Sequence, residues 1–424
     1  MIDNLLRLGM FRDRPVFEAV GDQYGAIVVP AHIAAHSPDG LWGFMKGVGA
    51  KPFFYDPMTY WLWLEPRYWL LGSEANRGPA LSLPVPAAQI RPAFRKLLAE
   101  YGLLDDVTTL KSGKFGLVAT ARLPSACLAF QRRGVVTRSA KAGPKYARIL
   151  GIELDDSGFA PGRLVGAYRA LELESSASWD EQAALNVGTL GALETGEVAW
   201  AVLAFESIDA ATRMSEMFAS RLELDQFAGV GLWVGGLDEQ TADVASLQAY
   251  RALVSGLRLP VWLMFAGYFG ILLSGEGVTE VSHGVFYTES KRILGPVGSG
   301  PPAERYYIQA LHRFYEPTKA FQILDLLPNF ACECPECPDL DTLRAGSVAA
   351  QADKAHHMAW VRKLQRHFLA ARRREIETVA SRSRSELLAE LTETSAEVGS
   401  VPASLRAAAG LRADHLDRWV RALR

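Results

Sequence analysis

Cysteine is nearly absent from this chain, with four residues in 424. So few thiols exclude a disulfide scaffold and fit a reducing compartment. A G-x-G-x-x-G fingerprint and a P-loop are both missing, which argues against a nucleotide-cradling doubly wound sheet. Charge of one sign is not in excess either. The net charge is -2, so any surface for nucleic acid has to be local. Long apolar runs are lacking. The most apolar stretch, Leu259–Leu273, is too short to span a bilayer and carries Gly267 and Gly270. Met1 to Arg14 alternates apolar and charged residues without a continuous apolar core. A soluble, cytoplasmic protein without a membrane partner is expected.

What the chain does have is apolar material, 49% hydrophobic against 22% charged residues, enough for a large core. Short apolar runs alternate with helical patterns through the first three hundred residues. The strands expected are Ala26–Pro30, Pro52–Tyr55, Leu164–Leu171, Val198–Phe205, Gly229–Val234, Val261–Phe265 and Val278–Phe286. Amphipathic segments such as Ala210–Leu222 and Thr241–Leu257 lie between several of them. Apolar strands separated by helices imply a parallel sheet covered on both faces. Their number and the chain length favour an α/β fold of the (β/α)8 TIM-barrel type, spanning 1–330 with a helical insertion around 91–161. Lys141–Lys145 reads as a loop within that insertion, and Gly295–Pro302 as a flexible connection.

Three of the four cysteines fall in Cys332-Glu333-Cys334-Pro335-Glu336-Cys337, with His356 and His357 downstream. Three thiolates and an imidazole make a full tetrahedral set for structural zinc (Zn2+), with no ligand position left open for water. This places an appended zinc-binding module at 331–390. A long helix is expected from Asp353 to Glu390, because Val361, Leu364, Phe368, Ala371 and Ile376 recur at helical spacing. Its other faces carry Arg362, Lys363, Arg366, Arg372, Arg373 and Arg374. Such a face either is simply solvated or engages phosphates. C-terminal helices are expected in 391–424.

A C-x-C-x2-C cluster with a downstream histidine, set after a barrel and before a basic helix, resembles the tRNA-guanine transglycosylase superfamily. Other segments, in order along roughly residues 20–380, are similar to that family. Phe53-Phe-Tyr-Asp56 resembles the strand end carrying its first active-site aspartate, and Val202-Leu-Ala-Phe-Glu206 its "AFD" segment. The run from Phe227 to Leu237 resembles the strand ending in a Gly-Gly-Leu base-binding loop. Leu259–Met264 resembles the next strand. Ala355-His356-His357-Met358 resembles "LHNL", which implies His356 as the fourth zinc ligand beside Cys332, Cys334 and Cys337. Asp56 is followed by Pro57-Met58-Thr59 rather than Ser-Gly-Gly, and the interval from Cys337 to His356 is short. Both departures resemble the branch that inserts 7-deazaguanines into DNA.

The resemblance implies a base-exchange transglycosylase that places a 7-deazaguanine-type free base into DNA or tRNA, DNA being favoured. A homodimer or a partner subunit is also implied. Such chemistry breaks a C1′–N9 bond with oxocarbenium-like charge on the sugar, so it needs acids at the C-terminal ends of barrel strands. Asp56 would be the base or a substrate-positioning acid; the bland reading is a turn aspartate before Pro57. Glu206 would read a guanine-type edge, or else favour a helix N-terminus. Gly235, Gly236 and Leu237 would let backbone amides approach a base, or simply end a strand. The family's nucleophilic aspartate falls on Ser282, with Glu280 two residues earlier on the same strand face as the alternative and His283 on the other. A serine there leaves open a second reading, a catalytically inactive zinc-containing nucleic-acid-binding subunit. Trp179 and Tyr60-Trp61-Leu62-Trp63 would stack on a base or fill core.

Overall fold

A computed structural model of the protein describes residues 2–9, 13–49, 51–64, 85–109, 112–136, 148, 158–217, 222–285, 291–293 and 304–424. Lys141–Lys145 and Gly295–Pro302 lie outside the described residues.

Parallel strands dominate, in the order β3-β2-β1-β9-β8-β7-β6-β4. They are β1 (Asp3–Arg7), β2 (Ala26–Pro30), β3 (Phe53–Asp56), β4 (Leu164–Val165), β5 (Ala170–Leu171), β6 (Ala199–Phe205), β7 (Gly229–Val234), β8 (Val261–Met264) and β9 (Val278–Gly284). β4 and β5 both pair with β6, so they fill one strand position between them. Eight positions result. The ring is nearly closed: Gly162 N–H donates to Phe53 O at 2.7 Å across the gap between β3 and β4. The expected barrel architecture is therefore observed.

Six of the seven expected strands form close to where the apolar runs place them, and the seventh, Leu164–Leu171, is split into β4 and β5. The eighth position, β1, arises where the sequence reading saw only alternation. It lies between β2 and β9, with Leu5 opposite both Ala26 and Ser282.

Period-two alternation sorts each strand between two cores. On β6, Ala201, Leu203 and Phe205 pack outward with the helices, whereas Val202 and Ala204 join Trp233, Trp262 and Met264 in the other cluster. Bulky rings fit there because β7 has glycine at the facing positions. A Cβ on Gly229 would lie 2.7 Å from the Trp200 ring, and one on Gly231 2.8 Å from that of Trp262. The interior is thus plugged by side chains, as in a packed barrel rather than a pore.

The helical insertion forms Pro92–Glu100, Leu104–Thr109 and Ser112–Arg132 among the described residues. The long C-terminal helix is shorter than expected. It runs over Lys354–Ser381 and stops, and a second helix, Arg384–Ser400, begins at a capping box in which Ser383 and Glu386 exchange hydrogen bonds. A capped start at Ser383 outcompetes continuation because it satisfies the first amides of the new helix.

Two short helices follow, Ala403–Ala409 and Asp414–Leu423. The last one packs against the barrel helix Val244–Gly256, where Arg251 donates to Leu423 O at 2.9 Å. Trp419, 1% exposed, donates its indole N–H to Glu239 O at 2.7 Å. The Glu239 carboxylate in turn accepts from Gly267 N at 3.0 Å and Gly270 N at 3.3 Å. The tail therefore braces the loops that leave β7 and β8. Trp419→Ala is expected to lower stability by about 3–5 kcal/mol, the usual loss for a buried large aromatic. Chemical denaturation checks this, and an unchanged midpoint would show that the tail is not part of the core.

Candidate functional site

The C-terminal ends of the strands carry a compact polar cluster. Arg7 ends β1, and its buried guanidinium forms an ion pair with Asp56 at the end of β3. Asp56 is 1% exposed and also accepts from the Tyr168 hydroxyl at 2.7 Å and from Met58 N at 3.0 Å. Tyr168 comes from the break between β4 and β5. Burial, reinforced by Asp56, raises its phenol well above the usual range, so it remains a donor. Thr59 holds the break in place, accepting from Tyr168 N at 2.7 Å and donating to Tyr168 O at 2.6 Å.

His32 follows β2 and faces the same cluster. Burial first, then the charge of Lys291, depress its imidazole to about 4 against a smaller opposing pull from Asp56. It is neutral at physiological pH. Lys291 sits over three rings, 5.1 Å from the centroid of Phe265, 5.3 Å from Trp233 and 5.8 Å from Tyr60. Arg7 lies 4.3 Å from the Phe265 centroid, so both cations rest on that ring. Phe265 itself has φ of 59° and Met58 φ of 55°, a left-handed backbone that costs a side-chain-bearing residue about 1–2 kcal/mol. Strain of this kind concentrates where a site needs a side chain in a particular place.

The residues expected from the sequence are distributed less simply. Asp56 is at the mouth, but as a paired group with three partners. Glu280 is not at the mouth. It pairs with Asp3 on β1, at the start of the strands, and makes a two-pronged contact with Arg163, whose Nη1 lies 2.7 Å from Glu280 Oε2. Ser282 is fully buried one layer above it, opposite Leu5 and Met264, with Leu263 O 3.5 Å away. Alternation then brings Gly284, not an acid, to the rim of β9. Neither Glu280 nor Ser282 therefore stands at the mouth, where a nucleophile was expected. His283 points outward against Phe368, with a ring separation of 5.2 Å.

Glu206 directly follows β6, and its carboxylate accepts from Leu173 N at 2.8 Å, which secures the turn after β5. A Cβ on Gly235 would meet Glu206 O at 2.8 Å, so the glycine is required by close backbone approach. Gly236, at φ 70°, donates to Lys291 O at 3.1 Å, and Trp233 Nε1 reaches the same carbonyl at 3.0 Å. The Gly-Gly segment thus anchors the chain that carries Lys291; Leu237 packs against the outer core. Tyr60, Trp61 and Leu62 are buried, as is Trp179, whose indole donates to Glu172 O at 3.1 Å.

The cysteines converge as expected, but on a different histidine. Cys332, Cys334, Cys337 and His367 place their ligand atoms within 4.8 Å of one another. His367 Nδ1 is 3.5 Å from Cys334 Sγ and 3.3 Å from Cys337 Sγ. Its Nε2 lies 2.6 Å from Tyr307 O, so the proton belongs there and the Nδ1 lone pair faces the thiols. Tyr306 stacks on the ring at 4.3 Å, and Arg374 donates to Cys332 Sγ at 2.8 Å. This donor set fits a tetrahedral metal ion.

His356 is a correction. It is exposed, and its Nδ1 lies 2.7 Å from Asp353 Oδ2 at the helix start. His367 is eleven residues on, about 16 Å along the axis at 1.5 Å per residue, where the helix passes the cysteine loop. His357 likewise faces Glu304, at 2.8 Å.

The basic face is less uniform than expected. Arg372 is fully buried and pairs with Glu375 at 2.9 Å. Arg366 pairs with Glu336 at 2.7 Å, Arg373 with Asp22 at 2.6 Å and with Glu377, and Arg374 serves Cys332. Arg366 and Arg374 thus tie the helix to the cysteine loop, and Arg373 ties it to the barrel. For Arg362 and Lys363 the structure gives no carboxylate partner among the described residues. Among those residues no helix is long and apolar enough to cross a membrane.

Sequence reasoning missed Arg7, His32, Tyr168, Lys291 and His367. For His367 a signal existed: it adjoins the apolar stripe of Leu364, Phe368 and Ala371, and it lies 30 residues beyond Cys337. Comparison of the chain with protein-family models finds no match, and comparison with curated proteins finds none either.

Proposed function

We propose that this protein is a base-exchange transglycosylase acting on nucleic acid, DNA more than tRNA, with a 7-deazaguanine-type base as the incoming group. The observation that carries this reading is the buried Asp56, held by Arg7 and Tyr168 at the C-terminal mouth of a parallel barrel and beside the rings of Tyr60, Trp233 and Phe265. Barrel chemistry is done at that face. In the exchange, the outgoing base leaves C1′ with the glycosidic electron pair on its N9, and positive charge develops on the sugar. N9 of the incoming base forms the new bond to C1′ as its proton is passed on to the outgoing base. Asp56 would serve there as the base or as an acid that positions the substrate, and aromatic rings accept a planar base without reading its sequence. The ion held by Cys332, Cys334, Cys337 and His367 is proposed to be zinc in a structural role, since four protein ligands leave no position for substrate.

A second reading, a catalytically inactive nucleic-acid-binding subunit, is favoured by a specific feature. Gly284 stands at the rim of β9, and Asp56 is already engaged by a cation. Incorporation of a labelled 7-deazaguanine base into duplex DNA and into tRNA, run in parallel, separates the two. Label entering one polymer and lost in Asp56→Ala is the expected result. No label in either, with the metal bound and the protein folded, would establish the inactive subunit instead.

A further inference from the structure

At the barrel mouth two buried polar atoms have no partner among the described residues. One is Nη1 of Arg7, whose side chain is 7% exposed, and the other is Nδ1 of His32. Buried donors and acceptors are almost always satisfied, so an orphan pair at a strand-end cluster calls for a missing group. The charged groups described there do not balance. The groups acting electrostatically on His32 are Lys291, Asp56, His36 and Arg7. Arg7 and Lys291 contribute two positive charges and Asp56 one negative. Among the described residues, the ammonium of Lys291 has the Tyr60 hydroxyl, at 3.3 Å, and three ring faces around it. It therefore retains donors that no described residue accepts.

We infer that the barrel mouth holds an oxyanion subsite, in which Arg7 Nη1 and the Lys291 ammonium bind a negatively charged group attached to a planar ring system lying against Tyr60, Trp233 and Phe265. Arginine and lysine are suited to this, a directed N–H on one side and a point charge on the other. The neutral His32 can turn its Nδ1 towards a hydroxyl or N–H of the same ligand. Asp56 stays paired, so the ligand adds to the cluster rather than replacing its carboxylate. Two sources share this chemistry: the phosphate of a nucleotide, or a carboxylate carried by the base itself. This inference rests on the mouth being the substrate site proposed above, but it concerns binding and not turnover.

Calorimetric titration of the full chain with guanosine, guanosine 5′-monophosphate, guanine and a carboxylated purine tests it without any exchange reaction. One of the two anionic ligands is expected to bind at least about tenfold more tightly than its neutral counterpart, as for a charge-assisted contact. The identity of that ligand names the source. Lys291→Gln, with an unchanged melting temperature, should bring the pair to within about threefold, and Lys291→Arg should keep the preference. Equal binding of neutral and anionic ligands, or a preference untouched in Lys291→Gln, would overturn the inference. A preference for the anion in a protein that incorporates no label would leave the subsite standing and remove the transglycosylase reading alone.

Discussion

Withdrawing the metal is expected to unfold the segment from Tyr306 to Ser381 and to loosen the barrel wall behind it. Apparent binding free energies for structural zinc in small domains are about 10–16 kcal/mol, and without the ion three thiols and an imidazole remain crowded together. Those groups lie within 4.8 Å of one another, a spacing that suits one shared cation. The loss should travel along the helix Lys354–Ser381. His367 and Phe368 are neighbours on it, and Phe368 packs on His283 of β9 and on Tyr307.

Elemental analysis is expected to give one metal ion per chain, absent in Cys334→Ser and in His367→Ala but kept in His356→Ala. The last variant should also retain the parent melting temperature, since His356 is exposed and its ring pairs with Asp353 at the helix start. Metal lost from His356→Ala and kept by His367→Ala would reverse the ligand assignment. A strong chelator should lower the melting temperature of the parent and leave that of His367→Ala nearly unmoved.

Asp56→Asn is expected to destabilise the protein by about 3–5 kcal/mol, because it leaves the Arg7 guanidinium buried without a counter-charge. Tyr168 could still donate to the amide oxygen, so the hydrogen bond survives and the ionic term is isolated. Arg7→Met should cost a comparable amount through the stranded carboxylate. The double variant should be less damaged than the sum of the singles, with a coupling of at least about 2 kcal/mol for groups in contact. Denaturant midpoints for the four proteins measure this. Strict additivity would mean that the pair does not act as a unit, and the charge balance drawn for the mouth would fail with it. Stability is not the reason to keep such a pair, since well-packed apolar residues often serve as well. Its position at the strand ends, beside strained Met58 and Phe265, points to function.

Strands buried on both faces announce themselves as short apolar runs, and six of the seven expected ones lie close to where such runs stand. β1 escaped notice because its five residues, Asp3-Asn4-Leu5-Leu6-Arg7, carry polar groups at both ends. Those groups point to partners contributed from far along the chain. Arg7 meets Asp56 and Asn4 meets His283, and neither pairing has a local signature. Tyr168 and Lys291 are invisible for the same reason. The arginine-rich helix misled in the opposite direction. A run of like charge reads as a solvated or phosphate-binding face, yet Arg372 is wholly enclosed because Glu375, one turn on, is enclosed with it.

Hydrophobic periodicity and thiol spacing, both local, determined the class of this protein from sequence: alternating strands and helices that close a parallel barrel, followed by a cysteine cluster able to take a metal. A fourth ligand is not local in that sense. Several histidines follow the cluster, and which of them meets the sulfurs depends on where a rigid helix crosses the loop, a matter of 1.5 Å per residue along its axis. The mouth is less local still. Its cations, its acid and its rings come from β1, β2, β3, the β4–β5 break, β7, β8 and the chain after β9, and only ring closure brings them to one place. Tertiary structure therefore decided which acid faces the mouth, and it removed Glu280 and Ser282 from that role by burying them beneath the glycine that ends their strand.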